Sequence, residues 1–371
     1  MAEPAAWTHT GYAQRIVFGI DALDGAGDLV KDAGGRRVLL VTTEGRRHCD
    51  AGERLVGILG RRLVAVFDKV RSHVPTTSVQ AAVLLAQEHD IDAVVSFGGG
   101  SCADLAKAVC FFTEQRAGRP GASYLDRPAV AHVAIPTTYS GAELTPFFGM
   151  TDEAAGRKSG AGGPTIAPVA AIYDPVVTLS TPVRVSAETG MNALAHGVEC
   201  AYSRSRTPEA EAIALAAVRR VAAALPAVVD EPGNLAARSA MLEAAALGGR
   251  CLQNASMGVH HGLAQLLGGR TGIPHGLANA ILLTHVMRWN AEELPAEAAM
   301  IGAALGDPGD PAGAIDRLRQ RVGLPGRLSE AGVTAEDIAV VVRLSAGNAN
   351  VANNPRPVSE AGARAILEAA F

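Results

Sequence analysis

Aromatic residues make up only 4% of this 371-residue chain, and the charged residues leave a net charge of −4 with no basic block. A slightly acidic chain without a run of Lys or Arg is poorly suited to a nucleic-acid or anionic-membrane surface. No nucleic-acid and no membrane partner is therefore expected. The five cysteines, Cys49, Cys102, Cys110, Cys200 and Cys251, are odd in number, widely spaced and contain no C-x-x-C pair. They read as reduced thiols and, more plainly, as small buried hydrophobes. The first residues, "MAEPAAWTHTGYAQRIVFG", lack an apolar stretch behind a basic one. No uninterrupted apolar run reaches the roughly 20 residues of a membrane helix. These absences together point to the cytoplasm.

What is present is a composition of 48% hydrophobic and 19% charged residues, that of a globular enzyme long enough for two domains. Short β-branched runs at 37–43, 63–67, 92–100, 131–138 and 169–175 alternate with helix-like segments at about 22–33, 49–60, 76–89 and 102–114. Strand alternating with helix is the pattern of a parallel sheet covered on both faces. After Pro175 the strand-like runs nearly vanish and long Ala/Leu-rich helical stretches take over. The reading is an α/β domain over 1–178, whose expected role from the motifs below is dinucleotide binding, and an all-helical domain over 179–371, expected to hold substrate and catalysis, with a short hinge leaving a cleft.

Three motifs carry chemistry. In "AVVSFGGGSCADLAKAV" a buried strand leads through Gly98, Gly99, Gly100 and Ser101 into a helix. Glycines allow close backbone approach, and the free amides of a helix N-terminus favour a pyrophosphate. The alternative is tight strand-to-helix packing without a ligand, since the spacing is neither G-x-G-x-x-G nor a Walker A loop. In "IPTTYSGAELTPFFGMTD", Thr137, Thr138 and Ser140 follow a strand, where open α/β sheets bind ligands. Their alternative is a turn whose hydroxyls cap its own backbone. In the helical half, Asn192 and His196 stand four apart, on one face of a helix, and His260, His261 and His275 follow in Gly-punctuated segments. A single histidine there would be a satisfied core residue; several invite a common site.

These stretches, "SFGGGSCADLAKAV", "IPTTYSGAELT", "MNALAHGVEC", "HHGLAQLLGGRTGIPHGLANAILLTHVMRWN" and "NNPRPVSEAGARAILEAAF", together resemble the iron-containing (group III) alcohol dehydrogenase family over nearly the whole chain. Within it, "PTTYSGAELTP", "GRKSG", "IYDP", the Asn of "MNALAH" and "NPRPV" are most similar to the maleylacetate reductase branch. The resemblance implies the dehydroquinate synthase-like fold of that family, hydride transfer with NADH or NADPH, and a small-molecule substrate. Candidate cofactor contacts are Gly98, Gly99, Gly100, Ser101, Asp104, Thr137, Thr138, Ser140, Lys158 and Thr43.

The family's metal ligands, an Asp and three His, fall on Asn192, His196, His261 and His275. Asn in place of Asp removes a full negative charge, so a hard divalent cation loses its best partner and no metal is expected. Hydrogen bonds from His196, His261 and His275 then replace it in stabilising the oxyanion. The family's second His, one turn on, is Gln265, and the Lys and Cys of the reductases are Gly262 and Ala264. That leaves Arg157, Lys158, Arg250 and Arg270 as anion clamps for an acid substrate. Where NAD-specific relatives carry Asp this chain has Thr43, followed by Arg46 and Arg47, which predicts that NADPH is accepted alongside NADH; the alternative is that both arginines are solvated surface charges.

The leading expectation is an NAD(P)H-dependent, metal-independent reductase of a small keto or enol acid. Its rivals are a metal-dependent alcohol dehydrogenase using the three histidines, a non-redox lyase, cyclase or isomerase on the same fold, and a dinucleotide-binding sensor without catalysis. A homodimer is expected because two-fold dimers dominate among soluble assemblies and the family is often dimeric.

Overall fold

The computed structural model describes residues 7–118, 128–154 and 157–371. Among the described residues eight strands run β1 (Arg15–Phe18), β2 (Val38–Val41), β3 (Leu63–Phe67), β4 (Ala93–Gly98), β5 (Ala131–Pro136), β6 (Phe147–Asp152), β7 (Arg157–Gly162) and β8 (Ala170–Tyr173). Between them lie α1 (Ala26–Asp32), α2 (Glu44–Arg47), α3 (Asp50–Leu59), α4 (Thr76–Glu88) and α5 (Gly100–Arg116), with α6 (Pro175–Thr178) after β8. The helical part comprises α7 (Val183–Tyr202), α8 (Pro208–Asp230), α9 (Leu235–Cys251), α10 (Val259–Thr271) and α11 (His275–Ala291). It continues with α12 (Pro295–Leu305), α13 (Pro311–Arg321), α14 (Ala335–Ser345), α15 (Ala349–Ala352) and α16 (Glu360–Ala369).

Six strands form one sheet in the order β1-β8-β5-β4-β2-β3, with every neighbouring pair parallel. Both faces are dry, and the period of two along each strand divides the side chains between them. On one face Leu39, Val41 and Val94 pack with Val79, Leu105 and Val109 of α4 and α5. On the other, Val38, Leu40 and Val95 pack with Leu29, Leu55 and Leu59 of α1 and α3. Two features escape the sequence reading. β1 is a short edge strand with exposed Ile16 and Phe18, so it carries no buried alternation. β6 and β7 form a separate antiparallel hairpin whose pairing joins Thr151 to Lys158.

Chain contacts divide the protein into a unit of Tyr12–Pro182 and a unit of Val183–Phe371 that also holds the N-terminal residues 7–11. The N-terminal segment is tied there by the Thr10 amide, which donates to Asn254 Oδ1 at 2.7 Å, and by His9 Nδ1, 3.0 Å from Thr207 Oγ1. Within the helical unit α7 is almost wholly buried, packed against α8, α9 and α11. Small residues permit the approach: a Cβ on Gly197 would stand 2.9 Å from the Ala214 carbonyl of α8. α8 contains an 18-residue stretch of mean hydropathy 1.8 and is long and apolar enough to cross a membrane by length and composition, yet its Ala and Val stripe is buried against these neighbours.

Candidate active site

β4 and β5 are adjacent, so the turns leaving their carboxyl ends meet. The Thr137 amide donates to the Gly98 carbonyl at 2.9 Å, locking the two turns together. Gly98 has φ +151°, and a Cβ there would stand 2.5 Å from Cys102 Sγ. At Gly100 it would stand 3.0 Å from Ser140 Oγ, and at Gly99 3.3 Å from Thr138. The glycines therefore let the two turns pack closely at the N-terminus of the 17-residue α5, where Gly100 and Ser101 lead the helix. Thr137 Oγ1 and Thr138 Oγ1 are buried beside it without a hydrogen-bond partner. Buried hydroxyls are rarely left so; facing a glycine-lined helix start, they fit the pyrophosphate of a dinucleotide. Ser140 instead serves its own turn, accepting from the Ala142 amide at 3.5 Å.

The other cofactor candidates are spread around this turn. Thr43 caps α2, accepting from the Arg46 amide, and the Arg46 guanidinium donates to Ser180 and to Thr181 Oγ1, the latter at 2.6 Å. Asp104 pairs with the buried ammonium of Lys107 at 2.9 Å. Lys158 lies on β7, where burial pushes its ammonium down to about 8 against the pull of Asp104.

The catalytic candidates gather in the helical unit. His196 on α7 and His261 on α10 stack with ring centroids 4.9 Å apart, and His275, the first residue of α11, is 5.6 Å from His261. Burial first, then the neighbouring His261, holds the His196 imidazolium well below its usual range, so the ring is neutral. His261 is also lowered by burial, with Glu199 pulling the other way. His196 Nδ1 and His261 Nε2 are buried without hydrogen-bond partners. Asn192, one turn before His196, accepts a hydrogen bond on Oδ1 from Asn279 Nδ2.

Whether this set fits a ferrous ion turns on charge. Three imidazoles are borderline donors suited to several divalent metals, but the fourth position carries a neutral amide whose oxygen Asn279 already shares. The carboxylate of Glu199, behind His261, is fully buried and bonded to the amides of Gly258, His260 and His261 and to His261 Nδ1. Burial alone would raise that carboxyl, yet the His261 and His260 rings hold it well below the usual carboxylate range. Asn192 therefore withholds the negative charge that Fe²⁺ draws from a carboxylate, while His196 Nδ1 and His261 Nε2 stay open to a ligand.

Gln265 stands one turn beyond His261 and accepts from Asn350 Nδ2 at 3.2 Å. The missing lysine has a steric reason: a Cβ on Gly262 would stand 2.7 Å from Val351 Cγ2 and 3.0 Å from Asn348 Oδ1. Of the proposed anion clamps, Arg270 is spent on Asp337 at 2.8 Å, and Arg250 is half-buried in the last turn of α9. Gly156 and the Arg157 side chain lie outside the described residues. The sequence reading missed Glu199 and Asn279. Both were signalled by spacing: Glu199 continues the face of Asn192 and His196 at i+7, and Asn279 lies four after His275.

Comparison with known proteins agrees with this architecture. Residues 13–175 match the profile of iron-containing alcohol dehydrogenase, and residues 186–371 match the C-terminal part of the Fe-containing alcohol dehydrogenase family. The chain is 39% identical over 300 residues to maleylacetate reductase 2 of Cupriavidus pinatubonensis, covering 81% of this chain and 78% of that protein. It is 35% identical to the maleylacetate reductase of Burkholderia cepacia over 96% of this chain and 95% of the other. A crystal structure of maleylacetate reductase from Rhizobium sp. strain MTP-10005 superposes with a TM-score of 0.85 at 33% identity, covering 100% of this chain and 98% of that one. A glycine turn on a parallel sheet, followed by a helical unit gathering three histidines, is thus found in a chain that belongs to the iron-containing alcohol dehydrogenase family of oxidoreductases.

Proposed function

We propose that the protein is an NAD(P)H-dependent reductase of a small conjugated keto or enol acid of the maleylacetate type, working without a resident metal. The observation that carries the reading is Asn192: a neutral amide, its oxygen shared with Asn279, stands where the family's carboxylate ligand would. The relatives named maleylacetate reductases support the substrate class, and the unpartnered Thr137 and Thr138 hydroxyls support a dinucleotide. The reduced nicotinamide supplies the hydride when bound. The chain's own residues do the rest: the imidazoles of His196 and His275 hydrogen-bond the substrate oxygen and stabilise the oxyanion as it develops, while Nε2 of His261 takes up and passes on the proton that completes reduction. The burial of His196 and His261 excludes bulk water from those rings and strengthens their interactions.

Thr43 sets no carboxylate against a 2′-phosphate, and with Arg46 bonded to Ser180 and Thr181, Arg47 is the cation for that group. NADPH is accordingly accepted beside NADH. The test is loss of NADH or NADPH absorbance with maleylacetate, before and after exhaustive chelation. Turnover unchanged by chelator is expected. Activity that needs stoichiometric iron or zinc would overturn the metal-free reading, and no turnover of maleylacetate would overturn the substrate class.

A further inference from the structure

We propose that Glu199 is the positioning residue of the imidazole cluster: it fixes His261 in the Nδ1–H tautomer and leaves Nε2 as the working atom of that ring. The inference rests on the proposed function only in taking His261 as a group that meets the substrate. The geometry of Glu199 stands by itself.

Four N–H donors converge on this one carboxylate. Oε1 accepts from the amides of Gly258 at 2.9 Å and His260 at 3.2 Å, with the Tyr202 hydroxyl at 3.4 Å. Oε2 accepts from the His261 amide at 3.3 Å and from His261 Nδ1. A charged carboxylate only accepts, so Nδ1 of His261 carries its hydrogen. The neighbouring ring agrees. His260 Nε2 lies 3.0 Å from the Asn279 carbonyl, another pure acceptor, so Nε2 carries a hydrogen, and in the Nε2–H tautomer a lone pair is on Nδ1. That lone pair, 3.3 Å from His261 Nδ1, offers no competing donor.

Every partner of Glu199 also fixes its direction. The three amides belong to the start of α10, the helix that bears His261, so carboxylate and ring are held by one frame. A Cβ on Gly258 would stand 3.0 Å from Glu199 Oε1, so glycine makes the room. The ligand atoms of Glu199, His260 and His261 lie within 4.8 Å of one another, close enough to invite a cation. Each is already bonded to another or to the main chain, so the cluster is a hydrogen-bonded support and not a second metal centre. A carboxylate behind an imidazole fixes both its tautomer and its orientation.

Glu199→Gln tests this without changing shape. Its Oε1 keeps the amides of Gly258 and His260, which puts the new NH₂ opposite His261 Nδ1. Two donors cannot face each other, so the His261 amide loses its acceptor while the ring moves its hydrogen to Nε2 and loses the lone pair there. The probe is the ¹⁵N spectrum of histidine-labelled full-length protein, with His261 assigned by its loss in His261→Gln. Expected are Nδ1–H in the unmodified protein, Nε2–H in Glu199→Gln, and a kcat lower by about tenfold or more at unchanged dinucleotide Kd. An unmodified protein with His261 as Nε2–H overturns the proposal, and this reading needs no variant to fold. So does a variant that keeps both the tautomer and, within about twofold, the kcat. A Nδ1–H spectrum in a protein that does not turn over maleylacetate supports the positioning role and removes the proposed substrate instead.

Discussion

The two candidate sites are made from different materials. In the α/β unit, Gly98, Gly99 and Gly100 and the hydroxyls of Thr137 and Thr138 build a surface of main chain and neutral oxygen. In the helical unit, His196, His261 and His275 build one of titratable rings, each with two nitrogens of opposite character. The first needs only backbone geometry, because an amide N–H points the same way at every pH. The second has to be told which nitrogen carries hydrogen, and so needs a layer behind it: Glu199 behind His261, Asn279 behind Asn192. The lesson is that shape specifies the first site and bonded partners specify the second, so each should fail in its own way.

The sharpest way to separate them is to spoil shape alone. Gly100→Val places a Cβ 3.0 Å from Ser140 Oγ and adds two methyls beyond it, where a phosphate would lie. Dinucleotide affinity should fall about 100-fold, the equivalent of a small-to-large clash of about 3 kcal/mol. Zinc binding to the helical unit, read by competition with a chelating dye, should stay as it was. Retained dinucleotide affinity measured by fluorescence titration would show that the glycine turn is packing and not a cradle.

The complementary change alters charge and keeps shape. Asn192→Asp restores a carboxylate opposite the three imidazoles, with Asn279 Nδ2 still placed to donate to it. Zinc affinity should rise about 10–100-fold, since a ligand's charge matters at least as much as a supporting hydrogen bond. Chelator-treated turnover should fall at the same time, because a second buried anion repels the developing oxyanion. Unchanged zinc affinity would mean that the amide oxygen already serves as a ligand.

How much of this was legible differs between the sites in the same way. The sheet could be read directly, because Val38–Val41 and Ala93–Gly98 are continuous apolar runs between helix patterns. The glycine turn could be read because its function is its sequence. β1 and the β6–β7 hairpin could not, since β1 buries none of its four residues and the hairpin is glycine-rich, with only Phe148 and Thr151 of β6 buried. His196, His261 and His275 were legible by type, whereas their supports were not. A Glu inside "AHGVECAY" reads as a surface charge until the fold buries it against the first turn of another helix. Likewise Gly262 looks like a lost lysine in sequence, and only the contact with Val351 and Asn348 shows that the position has no room for one.

The smallest effect is also the one that reads both states of the first site. The Thr138 hydroxyl is buried without a partner, which destabilises the protein alone and is relieved only if a ligand supplies the partner. Thr138→Val keeps the shape and removes the oxygen. The ligand-free protein should then be more stable by about 1 kcal/mol, while dinucleotide affinity falls about fivefold. The two shifts have opposite signs, so a thermal melt with and without NADH distinguishes them in one experiment. A hydroxyl with a purely structural role predicts the reverse: loss of stability on its removal, and no change in the increment that NADH adds to the melting temperature.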